Sequence, residues 1–294
     1  MEMFKLIKNF KVRFKWYFSR LLATFILFYI KKSSKSRKNP NKHKLPAKLV
    51  LSLTSYKPRF DTLYYTLKCL TRQSVLPDSI ILWVSEKDYA HVPNEIMELQ
   101  SVLGGDLFSV KIAKDNGPYT KIIPSIENYP EAFVVTADDD LFYSKNWLKH
   151  LLQEYDPSQK EIVAYVTHEI TMNDENTINP YVQWELNKKS DVDEWLGFPA
   201  GYGGVLYPPG CFDRRVVDED LFLELSPKAD DPWLYWMAKL NGYKTKKTRE
   251  HFLQICWPRS QAVGLLNENV ANNSNDWKIA NLSGAFGSPS DFSR

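Results

Sequence analysis

Phe133-Val134-Val135-Thr136-Ala137-Asp138-Asp139-Asp140-Leu141 is an apolar, β-branched run that stops at three consecutive carboxylates. The run reads as a buried strand. Its acidic end reads as charge delivered to the carboxyl edge of an open α/β sheet, where such sheets bind their ligands. Hard oxygen donors such as Asp138 and Asp140 suit Mg²⁺ or Mn²⁺. The plainer alternative is a solvated loop before a helix. Ser144 is placed as an N-cap, Trp147, Leu148, Leu151 and Leu152 follow at helical spacing, and acids there favour the helix dipole.

Upstream, strand and helix alternate. Leu49–Leu53 reads as a strand entering Thr54-Ser55-Tyr56-Lys57-Pro58-Arg59, and Asp61–Arg72 as a helix with Leu63, Leu67 and Leu70 on one face. Ser79–Val84 and Phe108–Ile112 read as further strands, with helices over Pro93–Leu103 and Thr120–Asn128. This alternation predicts an α/β fold with a mostly parallel central sheet flanked by helices and functional loops at the carboxyl ends of its strands.

Downstream, Gly201-Tyr202-Gly203-Gly204 marks either a close backbone approach or a tight turn between strands. It is not a P-loop, which needs Gly-Lys-Ser/Thr, and it lacks GxGxxG spacing. In Asp230-Asp231-Pro232-Trp233 through Asn241-Gly242 a helix is expected, with Asp231 as N-cap, Pro232 at the first position and Asn241-Gly242 at the end. Asp231 is then either a cap alone or a carboxylate aimed into a crevice as a general base. The two roles compete, because a capping carboxylate is a poorer base.

Of 294 residues, 44% are hydrophobic and 14% aromatic, enough for a large core and against general disorder. The net charge of +3 hides an asymmetry: residues 1 to 48 hold fourteen Lys and Arg against the single acid Glu2, a local +13 that leaves −10 for the rest. Phe10, Phe14, Tyr17, Phe18, Leu21, Phe25 and Phe28 recur at helical spacing among Lys8, Lys11, Arg13, Lys15 and Arg20, the pattern of a basic amphipathic helix drawn to an anionic membrane surface. The apolar run from Leu21 to Ile30 is too short to span a bilayer, and no A-x-A cleavage site follows. A helix docked on the domain or on a partner is the alternative. Residues 1–47 are therefore expected to be a basic helix plus linker, and 48–294 one α/β domain. With no RNA- or DNA-binding motif and an acidic body, nucleic acid is not an expected partner. Cys69, Cys211 and Cys256 fit neither a disulfide framework nor a zinc site and suit a reduced, cytoplasm-facing protein.

The ordered set Ser52-Leu53-Thr54-Ser55-Tyr56, Ala137-Asp138-Asp139-Asp140, Gly201 to Gly204 and Ala229-Asp230-Asp231 resembles bacterial GT-A-fold glycosyltransferases, most nearly the inverting, family-two-like enzymes of capsule or lipopolysaccharide assembly. The resemblance runs from Leu49 to Trp277. It implies a Rossmann-like sheet and a metal-dependent enzyme that moves a sugar from a nucleotide-diphosphate donor to a glycan or lipid-linked acceptor in surface polysaccharide biosynthesis, as a peripheral protein on the cytoplasmic face of the membrane. It also implies a divalent metal, Mn²⁺ or Mg²⁺, on Asp138 and Asp140, with His251 as a late metal ligand. Asp231 would be the catalytic carboxylate beside Asp230, which stands where the family usually has Glu. Thr54, Tyr56, Arg59, Lys121, Asp138 and Asp139 would meet the nucleotide sugar. Glu86 is the nearest counterpart of the base-contacting acid after the second strand. Trp184 and Trp195 are either acceptor-stacking surfaces or core. A retaining GT-A enzyme and a non-catalytic, membrane-associated glycan-binding protein are the alternatives.

Overall fold

The computed structural model describes residues 22–32, 40–173, 175, 177–260 and 274–292. Helix α1 covers residues 22–32. After it come β1 (Asn41–Lys42), β2 (Leu49–Thr54), α2 (Phe60–Leu70), β3 (Val75–Leu76), β4 (Ser79–Val84), α3 (Glu86–Tyr89), α4 (Asn94–Leu103), β5 (Phe108–Ile112), α5 (Ile123–Asn128) and β6 (Phe133–Thr136). The second half holds α6 (Trp147–Glu154), β7 (Glu161–Ala164), β8 (Thr167–Glu169), β9 (Gly197–Pro199), β10 (Val205–Tyr207), α7 (Glu219–Leu225), α8 (Asp230–Leu240), β11 (Lys244–Lys247) and α9 (Ser274–Phe286).

Seven strands form the central sheet in the order β11-β7-β10-β6-β2-β4-β5. Strand β10 runs antiparallel to β6 and β7, and the other pairs are parallel. From β2 the chain steps outward through β4 to β5, then returns to place β6 on the other side of β2. That reversal is the switch point at which doubly wound sheets open a crevice. The register Ser52 opposite Thr136 makes the loops after β2 and β6 leave the sheet side by side.

Alternation along the strands sends side chains to two cores. Leu49, Leu51, Leu53, Phe133 and Val135 pack with Leu63, Leu67, Ile96, Leu99 and Leu148 on one face. Val134, Val205 and Tyr207 pack with Trp233, Trp236 and Leu282 on the other. Between β8 and β10 the chain makes an excursion: β8 pairs antiparallel with β9, and bridges at Glu169 opposite Glu185 and Met172 opposite Ile178 hold the segment between them.

The amino-terminal expectations fall partly outside the described residues, which leave out Lys8, Phe10, Lys11, Arg13, Phe14, Lys15, Tyr17, Phe18, Arg20 and Leu21. Within α1, Ala23 and Ile30 are buried, and the buried Lys68 ammonium on α2 donates to the Ile30 carbonyl at 2.7 Å. Phe25, Phe28 and Tyr29 are exposed at 72, 60 and 65%. No helix among the described residues is long and apolar enough to cross a membrane. Of the expected linker, residues 33–39 lie outside the described residues, and in residues 40–47 β1 pairs with β3 and His43 meets Asp78 at 2.8 Å.

Candidate active site

The loops after β2 and β6 flank a cavity of about 1180 Å³ lined by Thr54 through Arg59, Lys121, Asp138 through Leu141 and Ala229 through Pro232. Strand β6 ends at Thr136, so the three acids emerge at the carboxyl edge of the sheet. Arg59, just before α2, reaches across the switch point: one guanidinium nitrogen meets Asp139 Oδ1 at 2.5 Å and the other Asp140 Oδ2 at 3.0 Å. Ser55 Oγ donates to Asp139 Oδ2 at 2.6 Å. Burial opposes the charge on Arg59, but Asp139, Asp140 and Asp138 outweigh it and raise its pKa. From below, Thr66 donates to the Asp139 carbonyl at 2.9 Å, and the Trp257 N–H meets the Asp140 carbonyl at 3.0 Å.

The other acid pair arrives on α8, whose N-cap is Ala229 and not Asp231. Asp231 lies inside the first turn, and its Oδ2 accepts from the Gly201 N–H at 3.0 Å, a partner on another element. Gly201 has to be glycine because a Cβ there would overlap the Asp231 carboxylate. At Gly204, φ is +93° and a Cβ would run into the Trp147 ring, so the expected close approach and positive φ both occur in this loop. Tyr143 ties the loop to the β6 acids. Its hydroxyl accepts from the Asp138 N–H at 2.8 Å and donates to the Tyr202 carbonyl at 3.0 Å.

Lys121 joins the two acid pairs. Its ammonium lies 3.0 Å from Asp138 Oδ1 and 3.1 Å from Asp230 Oδ2, with its side chain only 8% exposed. The Ser52 hydroxyl donates to the Lys121 carbonyl and so fixes the backbone that carries it. Burial opposes the Lys121 charge, yet Asp138, Asp230 and Asp231 hold its pKa well above the ordinary value. Burial pushes the Asp231 carboxyl up to about 7, with Asp230 adding to the shift. A carboxyl tuned there sits where a general base works near neutral pH.

Five aspartates on this wall, Asp138, Asp139, Asp140, Asp230 and Asp231, meet two paired cations, Arg59 and Lys121. Among the described residues no three carboxylate, imidazole or thiolate groups converge into a closed cation cage. The donor set, hard oxygens in excess of their counter-charges with Asp138 30% exposed, fits Mg²⁺ or Mn²⁺ shared with a phosphate ligand, since Mg²⁺ sites typically use one or two carboxylates plus phosphates and water.

Of the residues singled out from sequence, Thr54, Tyr56, Arg59, Lys121, Asp138, Asp139, Asp140, Asp230 and Asp231 line this one cavity. Glu86 and His251 do not. His251 is exposed on an irregular stretch, so the expected metal ligand is not brought to the acids. Glu86 points to solvent one position into α3, whereas Asp88 faces the cavity, accepting from the Ser85 hydroxyl at 2.7 Å and the Lys57 N–H at 3.3 Å. The Ser85-x-x-Asp88 capping pattern was the available signal for it. Trp184 is core, and its indole N–H donates to the Asn179 carbonyl at 2.8 Å. Trp195 lies against Lys239 and Lys244, outside the cavity. Besides Tyr56, the aromatic and imidazole side chains that line it are His168, Tyr181, Phe198 and Tyr202. Ser144 does not cap α6, whose N-cap is Asn146.

No family profile matches the chain, and no curated protein matches its sequence. Among solved structures, the mannosyltransferase PcManGT from Pyrobaculum calidifontis in complex with GDP-Man and Mn²⁺ aligns over 92% of this chain and 82% of its own, at 11% identity and a TM-score of 0.44.

Proposed function

We propose that this chain is a glycosyltransferase that moves a sugar from a nucleotide-diphosphate donor to a hydroxyl of a glycan or lipid-linked acceptor, with inversion, in surface polysaccharide biosynthesis. The observation that carries the reading is Asp231. It is a half-buried carboxylate with a pKa raised to about 7, held by the Gly201 N–H and not by its own helix, in the cavity that also receives the acids at the end of β6. A cap would have its pKa lowered and would serve only α8.

In this reading Asp231 accepts the proton of the acceptor hydroxyl as that oxygen attacks the anomeric carbon, and the donor diphosphate departs on the opposite face. The ammonium of Lys121, kept charged by the surrounding acids, stabilises negative charge developing on the leaving group. Arg59 fixes Asp139 and Asp140 so that the β6 loop presents a rigid acidic edge. Asp138 and Asp140 would hold the divalent ion, which when bound neutralises the phosphate oxygens. The reading puts α1 on the cytoplasmic face of the membrane, and the exposed Phe25, Phe28 and Tyr29 beside Lys31 and Lys32 support its peripheral attachment to an anionic surface.

The test is a panel of nucleotide sugars with Mn²⁺ or Mg²⁺, read as release of nucleotide diphosphate. One donor is expected to turn over with the wild type. Asp138→Ala is expected to lose that release, and Asp231→Asn to lose transfer while still binding the donor. Absence of metal-dependent nucleotide binding across the panel would leave a glycan-binding scaffold instead. Normal turnover by Asp231→Asn would remove the inverting mechanism.

A further inference from the structure

The cavity extends past Asp231 along a wall of His168, Tyr181, Phe198 and Tyr202. Asp231 is close to this wall: after burial, it is the next cause raising the phenol pKa of both Tyr181 and Tyr202, the latter to about 12. The His168 ring, at the middle of β8, stacks on Phe198 at 16° and meets Tyr181 edge-on at 5.8 Å between centroids. Its residue is 6% exposed.

One ring nitrogen is already committed. Nδ1 accepts the Asn187 backbone N–H at 2.9 Å. A nitrogen that accepts carries no proton, so the neutral ring holds its hydrogen on Nε2. Burial pushes the imidazole pKa down to about 4, so the neutral form is the one present near neutral pH. The hydrogen bond from Asn187 engages Nδ1 and leaves Nε2 as the donor. His168 lines the cavity, so this N–H is the ring's donor on that wall. Aromatic rings beside one oriented N–H donor suit a pyranose, which offers an apolar C–H face and hydroxyls around its rim.

We propose that His168, with Tyr181 and Tyr202, forms the binding site for the acceptor's terminal sugar ring, the Nε2–H donating to one ring hydroxyl so that another is presented to Asp231. This rests on the glycosyltransferase reading and adds the residue that selects the acceptor. A site built to satisfy a hydroxyl discriminates strongly against rings that lack it, because its buried donor would go unpaired.

The experiment uses the full chain with ¹⁵N-labelled histidine, whose five imidazoles give few signals. With Mg²⁺ present, UDP and GDP are added first. The methyl glycosides of glucose, galactose, mannose and N-acetylglucosamine are then titrated separately. The expected result is an Nε2–H tautomer for His168 whose resonance moves with at least one glycoside and not with nucleotide alone. Saturation transfer to that glycoside should fall at least tenfold in His168→Phe and return in His168→Gln, which restores an N–H donor. Nucleotide affinity by calorimetry should stay within twofold in both variants. A proton on Nδ1, a response to nucleotide alone, no response to any glycoside, or equal saturation transfer in His168→Phe would each overturn the assignment. Failure of both nucleotides to bind would instead remove the reading on which it rests.

Discussion

Replacing Asp231 by Asn separates folding from chemistry. In the fold the carboxyl group is pushed from its ordinary 3.8 to about 7, first by burial and then by Asp230, with Lys121 and the Gly201 N–H pulling the other way. At about 1.4 kcal/mol for each tenfold step, holding that group ionised costs the folded state roughly 4 kcal/mol. Because the folded value is raised, nothing is lost below about pH 4, where both states keep the proton. Stability falls as pH rises from about 4 to about 7, where the unfolded chain ionises while the fold resists, and the loss is complete above that range. Asn has the same shape, keeps an oxygen for the Gly201 N–H and never ionises. In urea titrations Asp231→Asn should therefore exceed wild type by about 2 kcal/mol at pH 5 and by about 4 kcal/mol at pH 8. Sugar transfer should be lost over the same range. A variant no more stable than wild type at pH 8, or an advantage that does not widen with pH, would refute the picture of a half-buried, undercompensated acid.

Three further outcomes are expected. Lys121→Met leaves Asp138, Asp230 and Asp231 facing one another without their cation, so stability at pH 8 should drop by about 3 kcal/mol or more and recover partly at pH 5, read by the same urea titration. Mn²⁺ should bind weakly alone and at least tenfold more tightly once UDP or GDP is present, because the described residues supply no closed cage; tight binding without nucleotide in calorimetry would contradict this. Phe25→Ser with Phe28→Ser should release the protein from vesicles containing anionic lipid without changing its thermal unfolding, since both side chains are exposed; unchanged sedimentation with vesicles would count against attachment through α1.

Much of the sheet was legible because its strands are short apolar runs closed by turn residues. Ser79–Val84 and Phe108–Ile112 fall where their sequences place them, and the β6 acids do emerge at a strand end. The site was less legible, for reasons of direction. Glu86 and Asp88 are two residues apart on one turn, and only the fold decides that Asp88 turns inward. Asp231 carries the local grammar of an N-cap, yet its partner is Gly201, thirty residues away. Lys121 gains its meaning from Asp230, more than a hundred positions downstream. His251 follows α8 at a suggestive distance, but an irregular, exposed stretch leaves it outside. Nothing in the pattern of aromatics distinguished Tyr181 and Tyr202 on the cavity wall from Trp184 in the core.

The excursion between β8 and β9 carries Tyr181 and Asn187, while the acids sit on loops rooted in the central sheet and on α8. Its ends are pinned together by the short β8–β9 ladder, and residues 194 and 195 are fastened to α8, where the Lys239 ammonium donates to the Glu194 carbonyl at 2.8 Å and the Tyr235 hydroxyl to the Trp195 carbonyl at 2.5 Å. A change of length or sequence near those two residues therefore reaches the helix that carries Asp230 and Asp231.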